Sequence, residues 1–589
     1  MNILGITNSY SYNQSACLLV NGQLVSWHEE ERFLRQKHAF FKDANLPPGD
    51  EAGIKPNNAT QYLISAENAG SFPIHSINAC LKKSGLGLSN IDYIAVGHSA
   101  TENVVAAYKS EEMNKDNQEI LGDKDGEIII IPARLSEFLR HEARVKECVH
   151  NLLEFDINKI EWMRHNACHA ASAIIPSQFQ QCNYMAADGD GGEDAGVFGF
   201  FDGGSMNHLG SYNPCGTFGG WYTAATKFLG FRPHSAEGKV MGLACYGKVD
   251  KQIVPEKFLR LSNGMFIPES NWYLDLWNNW DLKEKQEIEN NPLGKLATSI
   301  AATIQNYLER MIIHNCRILY QQTKSKKFAL AGGTFLNCSM NGKLLQQNFV
   351  DEIYVTPAAH DSGTAYGAAL LTHNKYARTF SKSNFSSAYW GSEFTNQEIQ
   401  QVLDEEKVKY EYIDDIPLKI AELIQNNLVI GVLQGRSEIG PRALCNRSIL
   451  ANPTYKENLD KVNKIKRREY WRPLAPVIAQ EYYHDIVDAK QYSPFMLIAT
   501  PVKKEWKEKI PAVVHVDGSC RPQSVNSQQN QIIHQALINF KKLSGAPVFL
   551  NTSYNLDDEP LVDSPKDALK TFFRSKLEAL IMGNYFITK

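Results

Sequence analysis

His165 and His169 stand four residues apart in an alanine-rich run (Ala167, Ala170, Ala171, Ala173) that stops at Pro176. Alanine favours helix and proline ends one, so the two imidazoles should leave one helix face toward a common point. The next apolar segment, 184–187, reads as a buried strand that delivers Asp188 into a glycine-rich turn. Further on, a strand starting at Ile353 ends at Asp361, ahead of a helix of small residues. Two imidazoles and a strand-end carboxylate make a three-ligand metal site with open positions, and Asp361 is placed to complete it. The ordinary alternatives are surface histidines beside a turn and a helix-capping aspartate.

A second group is cationic. A strand at 428–433 runs into a glycine- and proline-punctuated stretch with Arg436, Arg442 and Arg447. Lys464, Lys466, Arg467, Arg468 and Arg472 follow, then Arg521, then a strand from Pro547 ending in Asn551, Ser553 and Asn555. Arginines beside such turns read as anion binders, because a guanidinium forks onto a phosphate or carboxylate with two bonds. Each charge-assisted bond contributes roughly 1.5–3 kcal/mol, so several can hold a small dianion. Nucleic acid is the rival ligand. The cations are not interleaved with a stacking platform, however, and the net charge is −4, so neither nucleic acid nor a membrane surface is expected as partner.

Between these groups lie glycine-rich segments. EGKVMGLACYG at 237–247 has glycines at 238, 242 and 247 that let backbone approach a ligand, with Lys239 able to meet a phosphate. Its spacing is not that of a Walker A loop, and close helix packing is an equal reading. The strand at 327–331 leads into Gly332, Gly333 and Asn337, a typical seat for a nucleotide. In the charge run EEERFLRQKH at 29–38, Lys37 or Arg35 could reach a phosphate; a solvated helix start is the plainer account.

The elements that must position these residues fit an α/β protein of two or more domains, since 589 residues exceed one core. Strand, polar turn, strand, hairpin and strand occupy 2–28, and the same layout recurs at 183–210, which implies an internal duplication. This layout resembles the fold shared by actin, the heat-shock chaperone ATPases and the sugar kinases. The serine-rich stretch 375–392 marks a boundary, followed by a helix at 396–405 and a strand at 408–413. Eleven cysteines without CxxC spacing suit a reducing cytoplasm, with no disulfide framework. No signal peptide or membrane-length apolar run is expected, so a cytoplasmic location is.

Taken in order, the run EEERFLRQKH, His165-xxx-His169, Asp188-Gly, EGKVMGLACYG, LAGGTFLN, PAAHDSGTAYGAAL, GPRALCNRSIL, REYWRPLAP, VDGSCRPQ and NTSYN resemble the O-carbamoyltransferases of the NodU/CmcH family over nearly the whole chain. The resemblance implies a TsaD/Kae-like domain on the actin-type (ASKHA) fold at 1–378, with duplicated halves, and a YrdC-like α/β domain at 390–589. It implies a two-step reaction with ATP. Carbamoyl phosphate is converted to carbamoyl-adenylate in the second domain, and a hydroxyl of a small molecule takes the carbamoyl group in the first. It also implies a divalent metal, iron-like or magnesium at the nucleotide, held by His165, His169, Asp188 and Asp361. The nucleotide and carbamoyl phosphate sites then draw on Lys239, Gly332, Gly333, Asn337, Arg442, Arg447, Lys466, Arg468, Arg521, Asn551 and Ser553. The catalytic candidates are Asn13, Asp188, Asp190 and Lys37. A homodimer is compatible with this reading, but the sequence does not give the oligomeric state.

Three departures stand out. Where the family carries His-Asp-Ser in the first turn, this chain has Asn13-Gln14-Ser15. Asparagine is no base at neutral pH, so proton removal falls elsewhere, with an acid of the 188–194 loop as one choice. Cys445 and Asp558 replace glycines. Asp190, Glu193 and Asp194 enrich that loop in acid, from which a cationic acceptor is expected, such as a saxitoxin-like guanidinium alkaloid. The other functions to weigh are threonylcarbamoyl-adenosine formation on tRNA by a TsaD/YrdC-type enzyme and a non-catalytic nucleotide-binding protein.

Overall fold

The first apolar segments form strands β1 (Asn2–Ile6), β2 (Ser15–Val20) and β3 (Gln23–Glu29), joined between β2 and β3 by Asn21 and Gly22 at φ 51° and 78°. Two successive positive φ values are what a tight hairpin requires. These elements are seen in a computed structural model that describes residues 1–7, 13–39, 72–108, 130–189, 191–214, 216–268, 287–288, 290–380, 385–557 and 559–589, with backbone alone at 39, 105, 108 and 130–140.

The chain divides into two units. The first comprises Met1–Glu31 and His38–Asn384, and the second Arg32–Lys37 and Phe385–Lys589. A contiguous division of the sequence misses that Arg32–Lys37 belongs with the second unit. There Arg32 Nη2 donates to Gly440 O at 2.9 Å, and Arg35 donates to Leu561 O at 2.6 Å and Pro560 O at 3.1 Å. The expected solvated charge run is also corrected, because Glu29, Glu30 and Arg32 are each under 5% exposed. Glu30 is consumed inside the first unit, accepting from Ser76 N at 2.8 Å and His75 N at 3.1 Å at the start of the Ile74–Ser84 helix.

In the first unit, β4 (Tyr93–Val96) pairs parallel with β1, and β5 (Ile160–Trp162) pairs parallel with β4, giving the order β3-β2-β1-β4-β5. The second sheet is built from β6 (Cys182–Ala187), β7 (Gly196–Phe201) and β8 (Met206–Tyr212). After a separate hairpin, β9 (Leu259–Ser262) and β10 (Met265–Pro268), it adds β11 (Lys327–Ala331) and β12 (Glu352–Val355), giving the order β12-β11-β6-β7-β8. The two orders are the same meander plus two parallel strands. Each sheet also slips register once between its second and third strands, at Leu18/Leu19 and at Phe198/Gly199. The repeat read in the sequence is therefore a repeat of topology and of a bulge.

The equivalence extends to helices. His165–Ser177 follows β5 and Ser362–Ala377 follows β12, and the two pack together. A methyl at Gly367 would lie 1.9 Å from Cys168 O, so only glycine permits this approach. The first of these helices runs one residue beyond Pro176, and Gln178 at φ 60° ends it. Strands β6 and β11 are buried on both sides, β6 throughout and β11 from Phe328 onward, because both faces of the sheet are covered.

The second unit has one eight-stranded mixed sheet. Its strands are β13 (Glu411–Tyr412), β14 (Ile430–Leu433), β15 (Arg447–Ala451), β16 (Ala475–Ala479), β19 (Gln523–Val525), β20 (Val548–Ser553), β21 (Ala579–Met582) and β22 (Tyr585–Ile587). A small pair, β17 (Thr500–Pro501) and β18 (Ser519–Cys520), lies outside it. The strand expected at 408–413 shrinks to two residues, because β13 pairs only Glu411 and Tyr412 with β22. Separate apolar clusters cover the sheet. One includes Ile399, Leu403 and Phe572, the other Ile420, Ile424, Leu537 and Phe540. Among the described residues no helix is long and apolar enough to cross a membrane, and the described cysteines are unpaired.

Candidate functional site

The helix after β5 brings His165 and His169 one turn apart, the end of β6 delivers Asp188, and the start of the helix after β12 delivers Asp361. One ligand atom from each lies within 4.8 Å of the others. His165 Nε2 and His169 Nε2 each stand 3.3 Å from Asp188 Oδ2, and 3.8 and 3.7 Å from Asp361 Oδ1. His165 Nδ1 lies 3.0 Å from Gly97 O, which holds the proton on Nδ1 and turns the Nε2 lone pair inward. Asp188 Oδ1 accepts from Gly333 N at 3.1 Å, so Oδ2 faces the imidazoles. Gly332, at φ 88°, allows this: a Cβ there would meet Ala187 O at 2.2 Å.

These residues fit a divalent cation. Both ring nitrogens of His169 are buried, and its Nε2 faces only the carboxylates of Asp188 and Asp361. Burial pushes both imidazoles toward neutrality, but the hydrogen bonds and charges of Asp188 and Asp361 outweigh it, raising His165 and carrying His169 up to about 9. Burial opposes ionisation of Asp188 as well, yet the two histidines hold its carboxyl well below the usual range. The cluster demands positive charge, and two imidazoles with two carboxylates suit a first-row divalent metal.

Around the cluster the sequence reading missed a buried network. Ser362 Oγ stands 3.1 Å from Glu29 Oε1 and 2.8 Å from His360 Nδ1, and His360 Nε2 lies 3.4 Å from Glu29. Ser15 Oγ donates to Ser362 O at 2.8 Å, tying the first turn to the segment that carries Asp361. A histidine and a serine flanking Asp361 in the HDS triplet were the available signal. Asn13 Nδ2 donates to His38 Nδ1 at 3.1 Å, and His38 Nε2 lies 3.1 Å from Ser235 Oγ. His38 is held at φ 66°, a strained backbone for a residue with a side chain.

Other predicted residues take different roles. Asn337 caps the Cys338–Leu345 helix, accepting from Met340 N at 3.0 Å, and exchanges hydrogen bonds with Gln305, so its amide is structural and not a nucleotide contact. Lys239 Nζ lies 5.5 Å from the Phe231 ring centre, a cation–π contact. A methyl at Gly247 would lie 1.9 Å from Thr298 O, so this glycine serves helix packing. In the acidic loop, Arg164 Nε donates to Asp194 Oδ2 at 2.6 Å and stands 3.4 Å from Glu193. Two of the three acids thought to attract a cationic acceptor are thus already paired. Asp190 lies outside the described residues, as does Asp558.

In the second unit the cations converge around the end of β20. Lys466 Nζ donates to Ser553 O, to Ser553 Oγ at 3.1 Å, to Asn555 O at 2.9 Å and to Asn555 Oδ1 at 2.7 Å. Burial and then the charges of Arg468, Arg472 and Lys37 push Lys466 well down. Lys37, expected beside the catalytic residues of the first domain, is therefore part of this cation field. Arg468 Nε donates to Asn463 Oδ1 at 2.7 Å, while its Nη2 is buried without a hydrogen bond. Burial, then Arg472 and Arg521, lower Arg468 to about 9. Arg442 is half-buried just past the Gly440 turn. Arg447 is corrected: fully buried, it spends Nε, Nη1 and one Nη2 hydrogen on the carbonyls of Asp563, Gln434, Gly435, Asn446 and Ser392, a structural role in place of an open phosphate fork. Asn551 Oδ1 is buried without a partner, while its Nδ2 donates to Gln523 Oε1 at 3.2 Å. Arg472, read in the cationic group, acts on Lys466 and Arg468, while Gln523 and His515 are additions that the sequence reading gave no role.

Residues 2–370 match the family model described as Carbamoyltransferase N-terminus, and residues 421–589 the one described as Carbamoyltransferase C-terminus. The chain is 32% identical to Nodulation protein NolNO of Sinorhizobium fredii, over 100% of this chain and 80% of that protein. It is 34% identical to Nodulation protein NolO of Bradyrhizobium diazoefficiens, over 72% and 79%. Among solved structures it resembles component A of the Acidaminococcus fermentans (R)-2-hydroxyglutaryl-CoA dehydratase at 15% identity and a TM-score of 0.32, over 64% of this chain and 99% of that one. With both terminal models matched and a relative aligned along its whole length, the chain belongs to the carbamoyltransferase family and is a carbamoyltransferase.

Proposed function

We propose that this carbamoyltransferase takes its group from carbamoyl phosphate, activates it with ATP and delivers it to a hydroxyl of a small molecule. The observation that carries the donor assignment is the buried cation field of the second unit, where Arg468 Nη2 and Asn551 Oδ1 lack partners among the described residues. A dianion with an amide head answers both: its phosphate oxygens take guanidinium hydrogens, and its N–H gives one to the asparagine. In this reading water cleaves carbamoyl phosphate to carbamate and phosphate. A carbamate oxygen then attacks the α-phosphorus of ATP and expels pyrophosphate, leaving carbamoyl-adenylate. The acceptor oxygen attacks the carbamoyl carbon, and AMP leaves with the bond pair.

The first unit, read as the actin-type half, serves the transfer. His165, His169, Asp188 and Asp361 would hold a divalent cation that anchors a nucleotide phosphate and draws off its charge. His38 is the candidate proton acceptor for the hydroxyl. Its Nδ1 accepts from Asn13 Nδ2, a place the acceptor hydroxyl would take over, and its Nε2 meets Ser235 Oγ, while among the described acids of the neighbouring loop Asp188 faces the histidine pair and Glu193 and Asp194 pair with Arg164. The acceptor is a small hydroxyl-bearing molecule, and Glu193 and Asp194, paired with Arg164, supply no reason to require a positive charge on it. Incubation with labelled carbamoyl phosphate and ATP should yield AMP and pyrophosphate in equal amounts, and hydroxylated acceptors should gain one carbamoyl mass. ATP turnover indifferent to carbamoyl phosphate would refute the assignment.

A further inference from the structure

Cys445 is a fully buried non-glycine residue at φ 85°, in the left-handed region that side chains rarely occupy. A backbone held this way persists only where the surroundings require it. Its side chain sits between two amides. Cys445 Sγ donates to Gln523 Oε1 at 3.4 Å and accepts from Asn551 Nδ2 at 3.4 Å. Cys445 N donates to Ser448 Oγ at 2.9 Å, which anchors the loop under it.

The consequence lies in which way Asn551 points. Gln523 is oriented by its own Nε2, which donates to Leu444 O at 3.2 Å and so presents Oε1 to the thiol and to Asn551 Nδ2. Asn551 Nδ2 also reaches Ala443 O at 3.3 Å. With the thiol, Gln523 and Ala443 gathered on its nitrogen side, the amide cannot turn over, and Oδ1 is left buried with no partner. Asn551 and Ser553 share one face of β20, and Ser553 is where Lys466 binds, so this oxygen faces the side of the strand that carries the cation field. A buried oxygen without a donor is costly unless a ligand brings an N–H.

We propose that Cys445 is a positioning and specificity residue of the donor site: its thiol fixes the Asn551 amide so that the carbonyl oxygen selects an acyl phosphate bearing N–H over one bearing a methyl. This rests on the donor assignment made above. Carbamoyl phosphate and acetyl phosphate are matched probes, being alike in phosphate and in carbonyl. The test is AMP formation by the full-length protein at varied carbamoyl phosphate, with acetyl phosphate as competitor, in the wild type, Cys445→Gly and Cys445→Ser.

In Cys445→Gly the KM for carbamoyl phosphate should rise roughly fivefold to tenfold, the weight of one neutral hydrogen bond, with kcat within about twofold. Preference over acetyl phosphate should fall by the same factor. At the same time Tm should rise by about 1–2 °C, because glycine relieves the left-handed backbone. Cys445→Ser, which keeps a donor and an acceptor, should restore selectivity to within about threefold. An unchanged KM and unchanged preference in Cys445→Gly, whatever its Tm, overturns the proposal. Absence of carbamoyl phosphate-dependent AMP in the wild type overturns the donor assignment itself and this inference with it.

Discussion

The metal cluster of the first unit and the cation field of the second are opposite solutions to burying charge. In the first, two carboxylates lie among imidazoles, and the histidines are raised because the acids need a cation. In the second, Lys466 and Arg468 are driven down by burial first and then by the cations beside them. Each is electrostatically incomplete alone, and the missing charge has the opposite sign in the two units. Buried charge is tolerated only when paired, so each imbalance names its ligand: a divalent cation in one, a phosphorylated anion in the other.

Substitutions that touch one region and spare the other sharpen this contrast. The largest effect is expected from Asp188→Asn, which removes the carboxylate facing both imidazoles. Metal content by elemental analysis and transfer activity should both fall more than about 100-fold, with carbamoyl phosphate affinity within about twofold of wild type. Retained metal would break the pairing of acids with a cation. His38→Gln comes next. Transfer to a hydroxyl should fall about 100- to 1000-fold, within the range for losing a general base. Transfer to hydroxylamine, an attacking amine that needs no base, should persist; equal losses with both acceptors would assign His38 a purely structural role.

Arg468→Gln should raise the KM for carbamoyl phosphate about 10- to 100-fold through loss of a charge-assisted bond, and leave metal content unchanged. The smallest effect is a pH dependence of stability. Burial lowers His515 from 6.5 to about 4, with Arg521 adding to the shift and Asp517 opposing it. Between these values the unfolded chain binds the proton and the folded chain does not. Stability is therefore full above about pH 6.5 and is lost progressively as pH falls toward about 4. Denaturation midpoints across this window should slope downward with acid in the wild type and flatten in His515→Gln. Equal slopes would place the histidine outside the cation field.

Local spacing was sufficient for much of this molecule. The i, i+4 histidines, the strand ends at Asp188 and Asp361 and the twice-repeated meander are short-range patterns that side-chain periodicity and turn residues impose. The same patterns could not say which arginine is spent on carbonyls. Arg447 and Arg468 look alike in the sequence, and only the packing of β15 against its loops buries one among backbone oxygens and leaves a nitrogen of the other without a partner. Likewise Asn337 is a helix cap, Lys239 stacks on a ring, Arg164 neutralises the acids of its loop, and Arg32–Lys37 belongs with the second unit. The division follows the range of the forces. Backbone preference and hydrophobic alternation act over a few residues and are written in the chain, whereas a polar side chain's role depends on which distant carbonyls, rings and charges desolvate around it, and those meet only in the folded protein.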